Sequence, residues 1–501
     1  MTADEQPRGT ANRSTLPDES AFTREIRTGW AEREPIEVTE AKVAGFAAER
    51  RRAIGALHVG SRIIIPAGDT KVRSNDTDYR FRPHSAFTHM TGWGSDAVPG
   101  AVLVLEPVTD DAPGEANDSA AGTHEATLYF RERAGRDTPE FYENPAIGEF
   151  WTGPRPALGD IATLLRIRTA HIRDLNLESA HPTVVLREPD PLITGAIDAH
   201  RSARLDADID RDLERDTQLE TNLSELRLVK DAHEIDELKL AVEATGRGFD
   251  DIIRSFDRAV AVERGERVVE TAFFARARLE GNDLGYDTIA AAGPHACYLH
   301  WIRNDGPVRP GELMLVDAGV EVDSLYTADI TRTLPVNGRF TEVQRRVYEA
   351  VREAADRAFA IVRPGILFRD VHEEAMQSIA ETLTEWGIIP HPLDEVTAPD
   401  GQHHRRFMVH GTSHHLGLDV HDCAAARREM YRDGEIKPGM TFTIEPGLYF
   451  HPDDLTVPEE YRGIGVRIED DILVTEDGAE NLSAFIPRAA ADVEAWMERL
   501  R

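Results

Sequence analysis

An aspartate in the middle of an apolar strand is the first residue in this sequence that asks for chemistry. Leu313-Met314-Leu315-Val316-Asp317-Ala318-Gly319-Val320 reads as a buried strand, and a carboxylate there is costly unless a cation or a metal pairs with it. A second strand, Ala328-Asp329-Ile330-Thr331-Arg332-Thr333-Leu334-Pro335, carries another acid near its start. Residues Glu321 to Thr327 suit a hairpin turn, so Asp317 and Asp329 are expected to face one another across adjacent strands. Two acids that close repel unless they are protonated or bridged by a cation. Downstream, four histidines (His410, His414, His415 and His421) fall within twelve residues among glycines, and histidine is the commonest ligand of borderline metals. Glu445 closes an apolar strand at a Glu-Pro-Gly turn. In Gly463–Asp471, strand alternation puts Arg467 and Glu469 on one face and Val466 and Ile468 on the other. Each segment alone also fits a surface acid, a polar loop or a surface ion pair, and His403 and His404 keep that plainer reading. Together, Asp317, Asp329, His414, Glu445 and Glu469 bring four carboxylates and one imidazole. That is too much negative charge for one divalent ion and a natural set for two. Oxygen-rich coordination favours Mn²⁺, with Co²⁺, Fe²⁺ and Zn²⁺ as competitors. Two such ions activate a shared water and polarise a carbonyl, which is the equipment of a metallohydrolase.

These segments need a scaffold, and the sequence divides into three parts that supply it. Residues 1–30 are polar, without apolar period, and read as a tail. Residues 31–220 alternate candidate helices and strands: a helix from Val43, strands at Arg62–Pro66, Ala101–Leu105, Ala126–Phe130 and Thr183–Leu186, and a long exposed loop from Asp110 to His124. This predicts an accessory α/β domain. From 221 to 497 nearly every chemical signal appears. Its entry is a long helix in which Asp231, followed three residues later by Glu234, has the form of a capping box. The boundary is expected at about 215–228.

At the acids and histidines the sequence resembles the pita-bread metallopeptidases, and most closely the Xaa-Pro aminopeptidase (aminopeptidase P) family. The matching pieces are Asp317-Ala318-Gly319, Asp329-Ile330-Thr331-Arg332-Thr333, the His410–Asp422 loop, Ile444-Glu445-Pro446-Gly447 and Tyr461–Asp471. The linker run Leu226-Arg227-Leu228-Val229-Lys230 and Gly285-Tyr286-Asp287-Thr288-Ile289 also match, as more loosely does Ser85–Gly92. The resemblance implies an α/β (α+β) fold, with a creatinase/prolidase-like first domain that assists assembly and cleft closure, then a pita-bread catalytic domain. It implies that Asp317 and Asp329 hold one ion, with Asp329 reaching both, and that His414, Glu445 and Glu469 complete the set, Glu469 bridging. Glu445 would double as general base toward a metal-bridging hydroxide. His410 and His421 would contact substrate, His300 would position it or shuttle a proton, and Arg467 would orient a ligand carboxylate. The interval from Asp317 to Asp329 is one residue longer than the family usually has, and the extra residue is expected in the turn near Asp323-Ser324 or in a bulge.

The implied reaction is hydrolysis of the N-terminal Xaa-Pro bond of peptides. A prolidase acting on Xaa-Pro dipeptides is the alternative, ahead of a non-peptidase hydrolase or lyase on the same scaffold and a metal-free protein-binding relative. Composition narrows the partners. The 501 residues contain 90 acids against 57 bases, a formal net charge of −33, which disfavours nucleic acid and anionic membranes as partners. Five lysines stand among the 57 bases. Two cysteines, Cys297 and Cys423, cannot form a disulfide framework and read as packing residues. With no basic-then-apolar leader and no apolar run of about 18 residues, a cytoplasmic location is expected. Relatives imply a homodimer or homotetramer.

Overall fold

The computed structural model describes residues 21–33, 37–74, 77–108, 123–143, 147–204 and 208–501. The loop expected at Asp110–His124 therefore lies almost wholly outside the described residues, as do residues 1–20 of the expected tail. Residues 21–30 depart from the tail reading. Ala21–Ile26 is helical, because Phe22 packs edge-on against Tyr142 and Trp30 against Phe141 and Phe150. Two aromatic residues eight positions apart give no periodic signal in a polar segment, but they suffice to pin it.

The first domain is built on a five-stranded sheet. Val102–Pro107 pairs antiparallel with both Arg62–Pro66 and His124–Phe130, and Thr183–Val185 and Arg168–His171 add parallel strands at the two edges. The run Ile63-Ile64-Ile65 is apolar throughout because both faces of the sheet are covered: Ile63 and Ile65 enter one apolar cluster, Ile64 the other. Helix Ile209–Leu226 still packs on this sheet through Leu219 and Leu223, whereas Leu228 belongs to a core of the second domain. Helix Ala232–Val260 then begins with the capping box read from the sequence. Asp231 accepts from the N–H of His233 and Glu234, and Glu234 reciprocates by accepting from the Asp231 N–H.

The second domain repeats one plan twice, as a pita-bread domain requires. Helices Ala232–Val260 and Gly265–Glu280 lead into a sheet with Leu313–Ala318 between Ile289–Ala292 and Ile330–Pro335. Helices Glu342–Ile361 and Phe368–Glu385 lead into strands Thr441–Ile444, Gly447–Phe450, Ile464–Arg467 and Asp470–Val474. The halves meet at strand level, where the Glu469 N–H donates to the Thr331 carbonyl and the Thr333 hydroxyl to the Arg467 carbonyl. Arg332, fully buried, locks this seam by donating to the carbonyls of Glu469 and Ile486 and to Asp470 Oδ1 at 2.8 Å. Among the described residues no helix is long and apolar enough to cross a membrane.

Candidate active site

The first two acids are set by a hairpin whose register never slips. Asp317 pairs with Thr331 and Ala318 with Ile330, the Ala328 N–H reaches the Val320 carbonyl, and Glu321 bridges Thr327. Asp317 and Asp329 are thus diagonal neighbours on one face, two positions apart along the ladder and not directly opposite. The long interval between them is taken up by the turn: Val322 bonds Tyr326 across three residues, and Leu325 takes a left-handed backbone with φ +72°. No strand bulge is needed. Gly319 lies beside the seam, where a Cβ would come 1.7 Å from the Ala328 carbonyl oxygen.

The other half supplies the remaining groups. The histidine loop runs alongside strand Thr441–Ile444, with the Thr443 N–H donating to the His414 carbonyl and the Glu445 N–H to the Thr412 carbonyl. Asp329 Oδ2, Glu445 Oε1 and Glu469 Oε1 consequently lie 3.2, 3.6 and 4.0 Å from His414 Nε2. Donors around one ion with bonds of ~2.1 Å are roughly 3.0 Å apart in adjacent positions and ~4.2 Å apart across it. Asp329, His414 and Glu469, mutually within 4.8 Å, suit shared coordination, with Glu445 on the edge of that group. His414 Nδ1 lies 3.3 Å from the His415 carbonyl, a contact that leaves Nε2 as the free lone pair. The Thr331 hydroxyl donates to Glu469 Oε2 at 2.7 Å. Arg467 donates to Asp317 Oδ2 at 2.5 Å, to the Tyr449 hydroxyl at 3.1 Å and to Thr331 Oγ1 at 3.2 Å.

Electrostatics shows how poorly the protein alone satisfies these acids. Burial, followed by the charge of Asp317, raises the Asp329 carboxyl. Burial and the neighbouring acids hold Glu469 well above its ordinary range. Burial pushes Glu445 up to about 8 against the pull of His414 and Arg467. His414 moves the other way, up to about 9: burial opposes its charge, but Asp329 and Glu445 outweigh it. Tyr286 brings its hydroxyl within 2.6 Å of Asp317 Oδ1 and 2.5 Å of Asp329 Oδ1. One hydroxyl has one proton, so it satisfies only one of the two acids as a donor. Asp471, buried beside them, accepts from the Asp329 N–H through Oδ2 while its Oδ1 has no partner. Four mutually repelling carboxylates, one imidazole and an unsatisfied acid behind them fit divalent ions that would restore their charge.

Of the residues expected at the site, Asp317, Asp329, His414, Glu445, Glu469 and Arg467 converge. His410 stands beside them, with Nδ1 3.5 Å from Glu445 Oε2 and Nε2 2.8 Å from the Tyr449 hydroxyl; burial and Arg467 hold its ring down to about 3. His421 sets its ring edge-on to that of His414 at 4.4 Å. His300 stays exposed, close enough for its charge to be felt at His410 and His421. His415 is different: fully buried and stacked on Phe368, it belongs to the core. Cys297 and Cys423 are buried thiols, each raised to about 12 by burial. Tyr286, Thr331, Tyr449 and Asp471 were not singled out from the sequence. Thr331 had a usable signal, since it follows Asp329 by two on one strand face. Tyr286 had none beyond lying in a motif, because its contacts span 31 and 43 residues.

Residues 236–476 match metallopeptidase family M24, and residues 46–180 match the aminopeptidase P N-terminal domain. Xaa-Pro aminopeptidase 2 of Streptomyces coelicolor is 50% identical over 480 residues, covering 95% of each chain. The chain belongs to the Xaa-Pro aminopeptidase family of M24 metallopeptidases. The Escherichia coli Xaa-Pro aminopeptidase is 32% identical over 458 residues, covering 91% of this chain and 98% of its own. Among solved structures, Escherichia coli aminopeptidase P superposes with a TM-score of 0.76 at 29% identity, over 92% of this chain and 100% of that one. Pseudomonas aeruginosa aminopeptidase PepP gives 0.75 at 29% identity, over 91% and 98%. The chain carries an aminopeptidase P N-terminal domain ahead of a pita-bread domain, and it is a metal-dependent aminopeptidase.

Proposed function

We propose that this protein removes the N-terminal residue of peptides whose second residue is proline, using two divalent ions held by Asp317, Asp329, His414, Glu445 and Glu469. The observation that carries the reading is the convergence of Asp329, Glu445 and Glu469 on His414 at the seam between the two halves, with Asp317 held beside them by Arg467. The names of the relatives supply the substrate class. When bound, the ions polarise the scissile carbonyl and lower the pKa of the attacking water; the carboxylate-rich set favours Mn²⁺.

The chain's own groups do the rest. Glu445 Oε2 faces His410 and Oε1 faces His414, a position from which it takes a proton from the attacking water and returns it to the proline nitrogen. That return matters because proline's nitrogen carries no hydrogen and leaves as a secondary amine. His410, neutral at pH 7 and anchored by Gly411 and Tyr449, is placed with His421 to hold the substrate carbonyl side. His300, exposed, would position the substrate or shuttle a proton. Arg467 fixes Asp317, orienting the carboxylate that would hold an ion.

We propose further that the enzyme is cytoplasmic, supported by two free cysteines, and works as a homodimer or homotetramer. Exposed Trp30, Phe150 and Trp151 on the first domain support the assembly. Initial rates on an Xaa-Pro-Yaa tripeptide, its Xaa-Pro dipeptide and an Xaa-Ala-Yaa control, with Mn²⁺ present, test the substrate class. Cleavage of the first, with the others far slower, is expected. Turnover of the dipeptide alone would make the enzyme a prolidase and overturn the proposal.

A further inference from the structure

A second group of metal-ligating side chains lies outside the carboxylate centre. His391, Glu395 and His403 each offer one donor atom within 4.8 Å of the other two. His391 Nδ1 is 2.8 Å and His403 Nε2 3.8 Å from the same oxygen, Glu395 Oε1. The imidazole rings stack with centroids 4.3 Å apart and planes within 5°. Donors in a tetrahedral zinc site with bonds of ~2.0–2.1 Å stand roughly 3.4 Å apart. Imidazole lone pairs lie in the ring plane, so the two rings must tip out of the stack for both nitrogens to meet one ion, a movement that three partly exposed side chains can make.

The backbone holds this arrangement ready. Glu395 sits on helix Leu393–Thr397, and His403 opens the turn His403–Arg406 that folds back onto it. Gly401 permits the fold-back, since a Cβ there would come 1.9 Å from the Glu395 carbonyl oxygen. Gln402 takes a left-handed backbone at φ +51°, and its side-chain amide donates to the carbonyls of Thr397 and Ala398, each at 3.2 Å. His404 is buried with Nδ1 3.3 Å from the Val396 carbonyl. His403, paired in sequence with that anchor, is thereby fixed opposite Glu395.

We propose that His391, Glu395 and His403 form a third divalent-metal site, open to solvent and selective for imidazole-preferring ions. Two imidazoles to one carboxylate favour Zn²⁺, Ni²⁺ or Cu²⁺ over Mn²⁺, the reverse of the carboxylate-rich centre. An ion there staples the fold-back of residues 391–403, just before the segment that carries His410.

The test is metal stoichiometry after equilibrium dialysis of the Mn²⁺-loaded protein against Zn²⁺. The His391→Ala, His403→Ala double variant is expected to retain one metal ion fewer per chain than the unaltered protein. Its kcat/KM in Mn²⁺ should remain within about twofold, because neither residue belongs to the catalytic centre. Glu395→Gln, which keeps both imidazoles, should weaken the extra Zn²⁺ site about tenfold or more in a calorimetric titration, on the scale of losing one charged donor. Equal metal content in the double variant and the unaltered protein would overturn the proposal. So would a Zn²⁺ affinity unchanged in Glu395→Gln.

Discussion

Glu445 meets two demands through its two oxygens: Oε1 joins the group around His414, and Oε2 points to His410 on the open side. Glutamine has nearly the same shape and retains a carbonyl donor, but it cannot accept the proton of an attacking water. Glu445→Gln should therefore lower kcat by roughly 10²–10⁴-fold while circular dichroism and thermal midpoint stay near those of the parent; near-normal turnover would remove the general-base assignment. Arg467 acts at one remove. Its planar fork reaches Asp317, Tyr449 and Thr331 together, a geometry that a lysine ammonium cannot reproduce. Arg467→Lys is expected to weaken metal affinity about 10–100-fold, seen as a right-shifted Mn²⁺ activation curve, with much of kcat recovered at saturating metal. A kcat loss that metal does not rescue would instead place Arg467 among the groups that touch substrate.

At the scale of elements, the decisive unit is the hairpin carrying Asp317 and Asp329. Its strands are legible because an apolar run interrupted by one acid is rare without a purpose, and because the two runs sit a turn apart. The acids' diagonal offset was not legible. It follows from a three-residue turn closed by Leu325 in a left-handed conformation, and leucine in that region carries no local signal. Tyr286 was missed for a related reason: its partners are chosen by the pairing of Ile289–Ala292 with Leu313–Ala318, a tertiary fact. The four acids, by contrast, stood out together as charge where apolar strands want none, and His414, one of four histidines in a loop, stood out in their company. Gly319 gives the hairpin its sharpest test. Alanine there would press on the Ala328 backbone, which cannot rotate away, so Gly319→Ala should cost about 3 kcal/mol or more in chemical denaturation and weaken metal binding through the adjoining Asp329. Gly45, in helix Val43–Leu57, is the control: a Cβ there meets open space, and alanine should add up to about 1 kcal/mol. Equal effects at the two glycines would show that crowding at the hairpin is not what selects Gly319.

Over the whole molecule, the first domain braces the hairpin turn that ends in Asp329. Arg82 pairs with Glu321 at 2.6 Å and the Ser95 N–H donates to the Asp323 carbonyl at 2.9 Å. At the centre of the junction, Glu234 accepts from the Tyr326 hydroxyl at 2.9 Å and lies 3.7 Å from Arg50 and 3.5 Å from His89. Burial would raise the Glu234 carboxyl, yet His89, Arg50 and Lys230 draw it down to about 2 from the ordinary 4.5. Burial also holds His89 below its own ordinary range, so Arg50 and Lys230 are the cations that matter at neutral pH. A carboxyl lowered on folding stabilises fully above its unfolded value and loses that contribution as pH falls through the folded one. The window thus lies below about pH 5, and the stabilisation at stake is less than the whole shift from 4.5 to about 2 would give, because the share from His89 is absent while its ring is neutral. Glu234→Gln should accordingly be destabilised relative to the parent at pH 7, and the gap should narrow steadily toward pH 3. Ligand acids such as Glu445 and Glu469 also titrate, but they do so in both proteins, so the difference between the two denaturation series isolates Glu234. A gap that stays constant with pH would mean that the carboxylate's shape, and not its charge, holds the two domains together.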